Sequence, residues 1–200
     1  VLFRAGDVLN ARRLGVAAAL GMSEEDVPVT NHVAVLPVTG PKVLILSTGS
    51  ELVQPGTLPK GEAPELGKIF DANTTMLAAV FADYGLTPVI AETMVDDPGS
   101  FLTNVTTLLH EHSPSFVVSS GGVSAGAFEV VKVALEAHGI EFHKVAMQPG
   151  GPQGSGALQL QAAPEVPFIA LPGNPVSAWI SVEAFIRPAL VQAGVMDRTG

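Results

Sequence analysis

From Lys42 onward the chain alternates short apolar runs with helical stretches, and this rhythm constrains the fold more than any single motif. Lys42–Ser47 (KVLILS), Thr87–Glu92, Phe116–Ser119, Ile140–Met147 and Phe168–Leu171 are apolar segments of strand length. Between them, Asn73–Tyr84, Pro98–His112 and Phe128–His138 read as helices, and Pro175–Gln192 as a last, longer one. In the first of these, Met76, Leu77, Val80 and Phe81 share one face. Strands alternating with helices predict an α/β fold of three layers, a mostly parallel sheet with helices on both faces. Ligands of such sheets sit outside the carboxyl ends of the strands, where loops enter helices. Four loops are therefore of interest, those after Ser47, Glu92, Ser119 and Leu171.

Upstream, Val1–Met22 is alanine-rich with helical spacing, and Asp26–Gly40 is irregular, with a short strand expected at His32–Leu36. The chain thus divides into an N-terminal helical and linker segment, residues 1–40, and an α/β domain, residues 41–200. Gln54–Gly67, rich in Gly and Pro, reads as a loop.

Composition removes several functions. Nineteen acidic against ten basic residues give a net charge of −9, which argues against nucleic acid as the main partner. There is no cysteine. Disulfides, thiolate nucleophiles and Cys-held metals are excluded, so any metal is held by O or N ligands or by sulfur that a ligand brings. The longest apolar runs, such as Val16–Leu20, are far shorter than the ~20 residues of a membrane-spanning helix. Arg4, Asp7, Arg12 and Arg13 interrupt any signal peptide. A cytoplasmic location is expected. The chain opens on Val1, and the expectation is a fragment of a longer protein.

Two loops carry the patterns most suited to anion binding. Ser119-Ser120-Gly121-Gly122-Val123-Ser124-Ala125-Gly126 follows a strand and precedes a helix. Its glycines let the main chain approach an anion closely, and Ser120 and Ser124 offer hydroxyl donors. Pro172-Gly173-Asn174-Pro175-Val176-Ser177 places Asn174 as an N-cap, Pro175 at the first helical position and Ser177 in the first turn. Taken separately, a packing turn explains the first loop as well as a phosphate does, and a well-capped helix explains the second.

Taken together with TGSEL at Thr48–Leu52 and IFDAN at Ile69–Asn73, SGGVSAG and PGNPVSA stand in the order and spacing of a known family. Over Lys42–Leu190, with a weaker match at Ala5–Gly21, the chain resembles the MoeA/gephyrin family of molybdopterin molybdenumtransferases. Related competence-damage and molybdopterin-adenylyltransferase families share the sheet and a Gly-rich loop but lack PGNPVSA.

The resemblance implies the molybdopterin-binding domain fold and a site for adenylylated molybdopterin, into whose dithiolene molybdate is inserted with release of AMP. It implies substrate contacts at Thr48, Gly49, Ser50, Glu51, Ser120, Gly121, Gly122, Ser124, Gly126, Pro172, Gly173, Asn174 and Ser177. Glu129 stands where the family commonly has aspartate and, with Asp97, is the expected catalytic carboxylate. Asp96, Asp97 and Glu129 are the expected ligands of a divalent cation, which the resemblance implies to be Mg²⁺, although Asp96-Asp97-Pro98 is also an ordinary helix cap. Asn73 is expected to cap a helix and Asp71 to face the ligand. The family's partner set is a small pterin nucleotide and molybdate, with a homodimer completing the site and neither nucleic acid nor membrane involved. Gln148 and Gly151 stand where two lysines are common; either Lys144, Lys132, Arg187 or another domain compensates, or the chain is a weak or non-catalytic paralogue. Two other readings stay open: a scaffold or binding module of the same fold, and a nucleotide pyrophosphatase like the competence-damage family. The five histidines read as structural, and Trp179, Ile180 and Phe185 as core.

Overall fold

A computed structural model describes residues 9–22, 40–59, 62–91, 97–123 and 130–197. Its six-stranded sheet is built on β1 (Lys42–Ser47), flanked in parallel by β4 (Thr87–Ile90) and β5 (Phe116–Ser120). β8 (Val166–Leu171) adds in parallel to β5, then β7 (Pro152–Leu158) antiparallel to β8 and β6 (Ile140–Lys144) antiparallel to β7. The order is β4-β1-β5-β8-β7-β6, so only β7 runs against the rest. A separate two-stranded parallel pair, β2 (Leu52–Val53) and β3 (Ile69–Phe70), lies beyond β1. The α/β expectation of a mostly parallel sheet holds.

β1 is apolar on both faces because both are covered. Leu44 and Leu46 meet α3 (Pro98–His112) and α4 (Val130–Leu135), through Phe101, Val105, Val131 and Leu135. Val43 and Ile45 meet the opposite layer. That layer is α1 (Ala11–Ala19), α2 (Ala72–Asp83), α5 (Pro175–Ser181) and α6 (Arg187–Gln192). α1 joins this second core through Ala11, and Arg12 lies 4.2 Å over the ring of Trp179.

Three expectations change. β7 is a strand that the composition hides. A side chain at Gly154 would meet the Phe142 ring at 2.6 Å, and one at Gly156 would meet the Gly139 carbonyl at 2.1 Å, so glycine is required for β6 to lie close. The last helix is not continuous: a π turn at Val182–Ile186 separates α5 from α6. Pro188 has no N–H to donate and its ring crowds the preceding turn, which the wider π turn accommodates. Finally, the buried stripe of this helical run is Ala178, Val182, Ile186 and Leu190, leaving Ile180 and Phe185 nearly half exposed. Trp179 alone of the three expected core residues packs against that layer. The expected strand at His32–Leu36 lies outside the described residues. No described helix is long and apolar enough to cross a membrane.

Candidate functional site

Register brings three loops to one level at the carboxyl edge. Ser47 pairs with Ser120, and Ser120 with Leu171. The ladder runs one step further, with the Thr48 N–H donating to the Ser120 carbonyl (3.2 Å) and the Gly121 N–H to the Leu171 carbonyl (3.2 Å). Thr48, Gly121 and Pro172 therefore leave the sheet side by side.

There the main chains close on one another. Gly121 has φ +94, and a Cβ on it would lie 2.6 Å from the Thr48 carbonyl. Gly122 has φ +67, with Val131 Cγ2 at 2.7 Å and Thr48 Oγ1 at 2.9 Å from the place of its Cβ. Only glycine meets both the left-handed backbone and the contact distance. A Cβ on Gly173 would lie 3.5 Å from Gly121 Cα, an ordinary contact. The carboxylate of Glu51 folds back over Gly49, which has φ +148. Lys68 Nζ donates to the Ser50 carbonyl and brings a cation to the same turn. The sequence reading missed Lys68, because nothing about GKIF marks it as a site residue; only the pairing of β3 with β2 brings it beside Ser50.

Asp71 and Asn73 exchange the duties expected of them. β3 leads straight into Asp71, whose Oδ1 accepts from Asn73 N (3.0 Å) and Thr74 N (3.2 Å), and whose Oδ2 accepts from Thr74 Oγ1 (2.9 Å). Asp71 is thus the N-cap of α2 and is 1% exposed. Asn73, in the first turn, is turned toward the loops: its Nδ2 donates to Ser120 Oγ (2.6 Å) and to the Gly173 carbonyl (2.8 Å). Ser120, 2% exposed, is engaged by this bond and lies 3.4 Å from the Pro172 carbonyl. The helix starts one residue earlier than its apolar spacing suggests, and D-x-N-T read as a cap would have shown it.

Four buried polar atoms at these strand ends have no hydrogen-bond partner among the described residues: Ser47 Oγ, Thr48 Oγ1, Ser119 Oγ and Asn73 Oδ1. Each costs about 1–3 kcal/mol unless something pairs with it. Such a concentration marks this edge as built for more than packing.

The other expected residues divide. Asn174 caps α5, its Oδ1 accepting from Val176 N (3.0 Å) and Ser177 N (3.2 Å), with Ser177 fully buried. Asp97 caps α3: its Oδ2 accepts from Ser100 N (2.7 Å), and the Ser100 N–H and hydroxyl hold its carboxyl below the usual range. Asp97 thus serves as the helix cap that Asp96-Asp97-Pro98 also allowed. Ser124, Gly126, Glu129 and Asp96 lie outside the described residues. Among those described, no three His, Asp or Glu side chains come together to hold a metal. His110 and His138 bond the carbonyls of Ala162 and Gln159.

Of the three candidate cations, Lys132 lies 3.9 Å from Glu136 and Arg187 4.0 Å from Glu183. Lys144 is placed differently. Gly154 pairs with both Phe142 and Ala170, so Lys144, opposite Pro152, is level with Pro172. Phe142 packs on the α4 side, and two residues on, Lys144 shares that face. Its stem lies beside Gly151, 3.7 Å from the place of a Cβ there, while Gly150 packs on Ser177. Three strand spacings put it ~14 Å from Gly121 along the same edge.

A family model described as "Probable molybdopterin binding domain" matches residues 44–192. Over 197 residues the chain is 42% identical to "Molybdopterin molybdenumtransferase 2" of Mycobacterium tuberculosis, covering 94% of this chain and 43% of that protein. It is 37% identical over 161 residues to "Molybdenum cofactor synthesis protein cinnamon" of Drosophila melanogaster, covering 79% and 25%. Among solved structures, the molybdopterin biosynthesis MoeA protein of Pyrococcus horikosii aligns with a TM-score of 0.61 at 26% identity, over 80% of this chain and 37% of that one. The chain therefore spans less than half the length of these relatives.

Proposed function

The chain belongs to the molybdopterin-binding domain family, and from that premise we propose that it binds adenylylated molybdopterin along the carboxyl edge of β1, β5 and β8 during insertion of molybdate into the dithiolene. The observation that carries this reading is the convergence of Thr48, Gly121, Gly122 and Gly173: the Thr48 carbonyl leaves no room for a side chain at Gly121, the Thr48 and Val131 side chains leave none at Gly122, and Gly173 lies within contact of Gly121. A phosphate-bearing ligand uses such a surface through main-chain dipoles. Lys144 and Lys68 offset the ligand's charge in a protein whose net charge is −9. The substrate's dithiolene supplies the soft sulfur ligands that a cysteine-free chain lacks.

In this reading Thr48–Glu51 and Pro172–Gly173 flank the ligand. Glu129 is the acid–base carboxylate for AMP release, and Asp96 and Glu129 are the magnesium-binding carboxylates. Among the described residues, the carboxylate folded over these loops is that of Glu51. The chain covers 43% of its 42%-identical relative. Binding without efficient turnover is therefore expected of these 200 residues. Incubation with adenylylated molybdopterin and molybdate tests this, with AMP followed chromatographically. Slow release on top of measurable binding is predicted. Release at the rate of a full-length relative would contradict the prediction. Hydrolysis of ADP-ribose would favour the pyrophosphatase reading instead.

A further inference from the structure

We propose that Asn73 is a positioning residue whose carboxamide ties the β5 glycine loop to the β8 loop, so that the two meet one ligand as a single surface. The proposal rests on the reading that these loops hold the pterin nucleotide. Three chain segments far apart in sequence meet at this amide: Asn73 at the start of α2, Ser120 at the end of β5, and Gly173 after β8.

The orientation of the amide is forced by chemistry. The Gly173 carbonyl only accepts, so the atom facing it at 2.8 Å is the Nδ2 donor, and a flipped amide would set two acceptors against each other. Both Nδ2 hydrogens are then used, one on Gly173 and one on Ser120 Oγ. Ser120 Oγ becomes an acceptor on that side, leaving its own proton directed toward the Pro172 carbonyl, 3.4 Å away. Three consecutive residues, 171 to 173, are thereby held to β5: Leu171 by the ladder, Pro172 through Ser120 and Gly173 through Asn73.

The Oδ1 of Asn73 has no partner among the described residues, although Asn73 is only 9% exposed. A side chain kept for packing has no reason to bury an orphaned acceptor, whereas a donor fixed at two points accepts that cost. Asp71 makes the arrangement rigid by holding the Asn73 N–H from below at 3.0 Å. The small separation between Gly121 and Gly173 is then a set distance and not a consequence of sheet pairing alone.

The test uses Asn73→Leu, which keeps the volume and removes the donors, alongside Ser120→Ala and the double variant. Amide hydrogen exchange is read on peptides spanning 119–123 and 171–176, and calorimetry gives the Kd for adenylylated molybdopterin. The tie predicts at least tenfold faster exchange in both peptides of Asn73→Leu, with β1 unchanged. It also predicts a loss of affinity that Ser120→Ala does not deepen in the double variant. Unchanged exchange in either peptide, or additive affinity losses, overturns it. Should Asn73→Leu fail to fold, Ser120→Ala decides alone: faster exchange in 119–123 supports the tie and unchanged exchange overturns it. A wild type that does not bind the nucleotide refutes the functional reading, while the exchange data still decide the role of Asn73.

Discussion

Gly122 sits at φ +67 with Thr48 and Val131 pressed against the space a side chain would need. Gly122→Ala should therefore lose about 1–3 kcal/mol of stability, measured by denaturant unfolding, through both strain and overlap. Gly173, in the neighbouring loop, has room for a Cβ, since its φ is outside the left-handed region and its nearest neighbour would be in van der Waals contact. Asp71→Ala removes a buried cap and should cost ~2 kcal/mol. Asp97→Ala tests the capping assignment. Its folded carboxyl is held below the ordinary range, so its contribution is present at neutral pH and is lost as pH falls through the depressed value. Thermal melts should separate wild type and variant at pH 7 and converge as the pH falls below the ordinary aspartate range and through the depressed value. A large loss of ligand affinity in Asp97→Ala at pH 7 would place Asp97 in the site as well.

At the scale of elements, the parts written in apolar period were legible and the parts written in contacts were not. β1, β5, β8, α2 and α3 follow from runs and stripes that any covered sheet demands. β7 did not, because Gly154 and Gly156 are chosen for what Phe142 and Gly139 need, a constraint that exists only once β6 is alongside. The PGNPVS helix start was readable as a cap, and Asn174 is one. The bond between Asn73 and Gly173 spans 100 residues and leaves no local trace. Lys144 belongs to this scale too, since its place at the site edge is a matter of register across β6, β7 and β8. Lys144→Gln should weaken binding of the pterin nucleotide roughly tenfold, the worth of one charge-assisted contact, and flatten its salt dependence. Titrations at two salt concentrations check this. An unchanged Kd would remove Lys144 from the ligand's surroundings.

For the molecule as a whole, the proposed function has a net-acidic, cysteine-free α/β domain bind an anionic pterin nucleotide where three loops meet at glycines. Calorimetric titration of adenylylated molybdopterin into the chain, wild type against Gly173→Leu, tests it most directly. A side chain at Gly173 covers Gly121 without forcing the backbone, so the variant should melt within a few degrees of wild type. A saturable heat is expected for wild type and its loss in Gly173→Leu. Equal binding by both proteins, or none by a folded wild type, would contradict it.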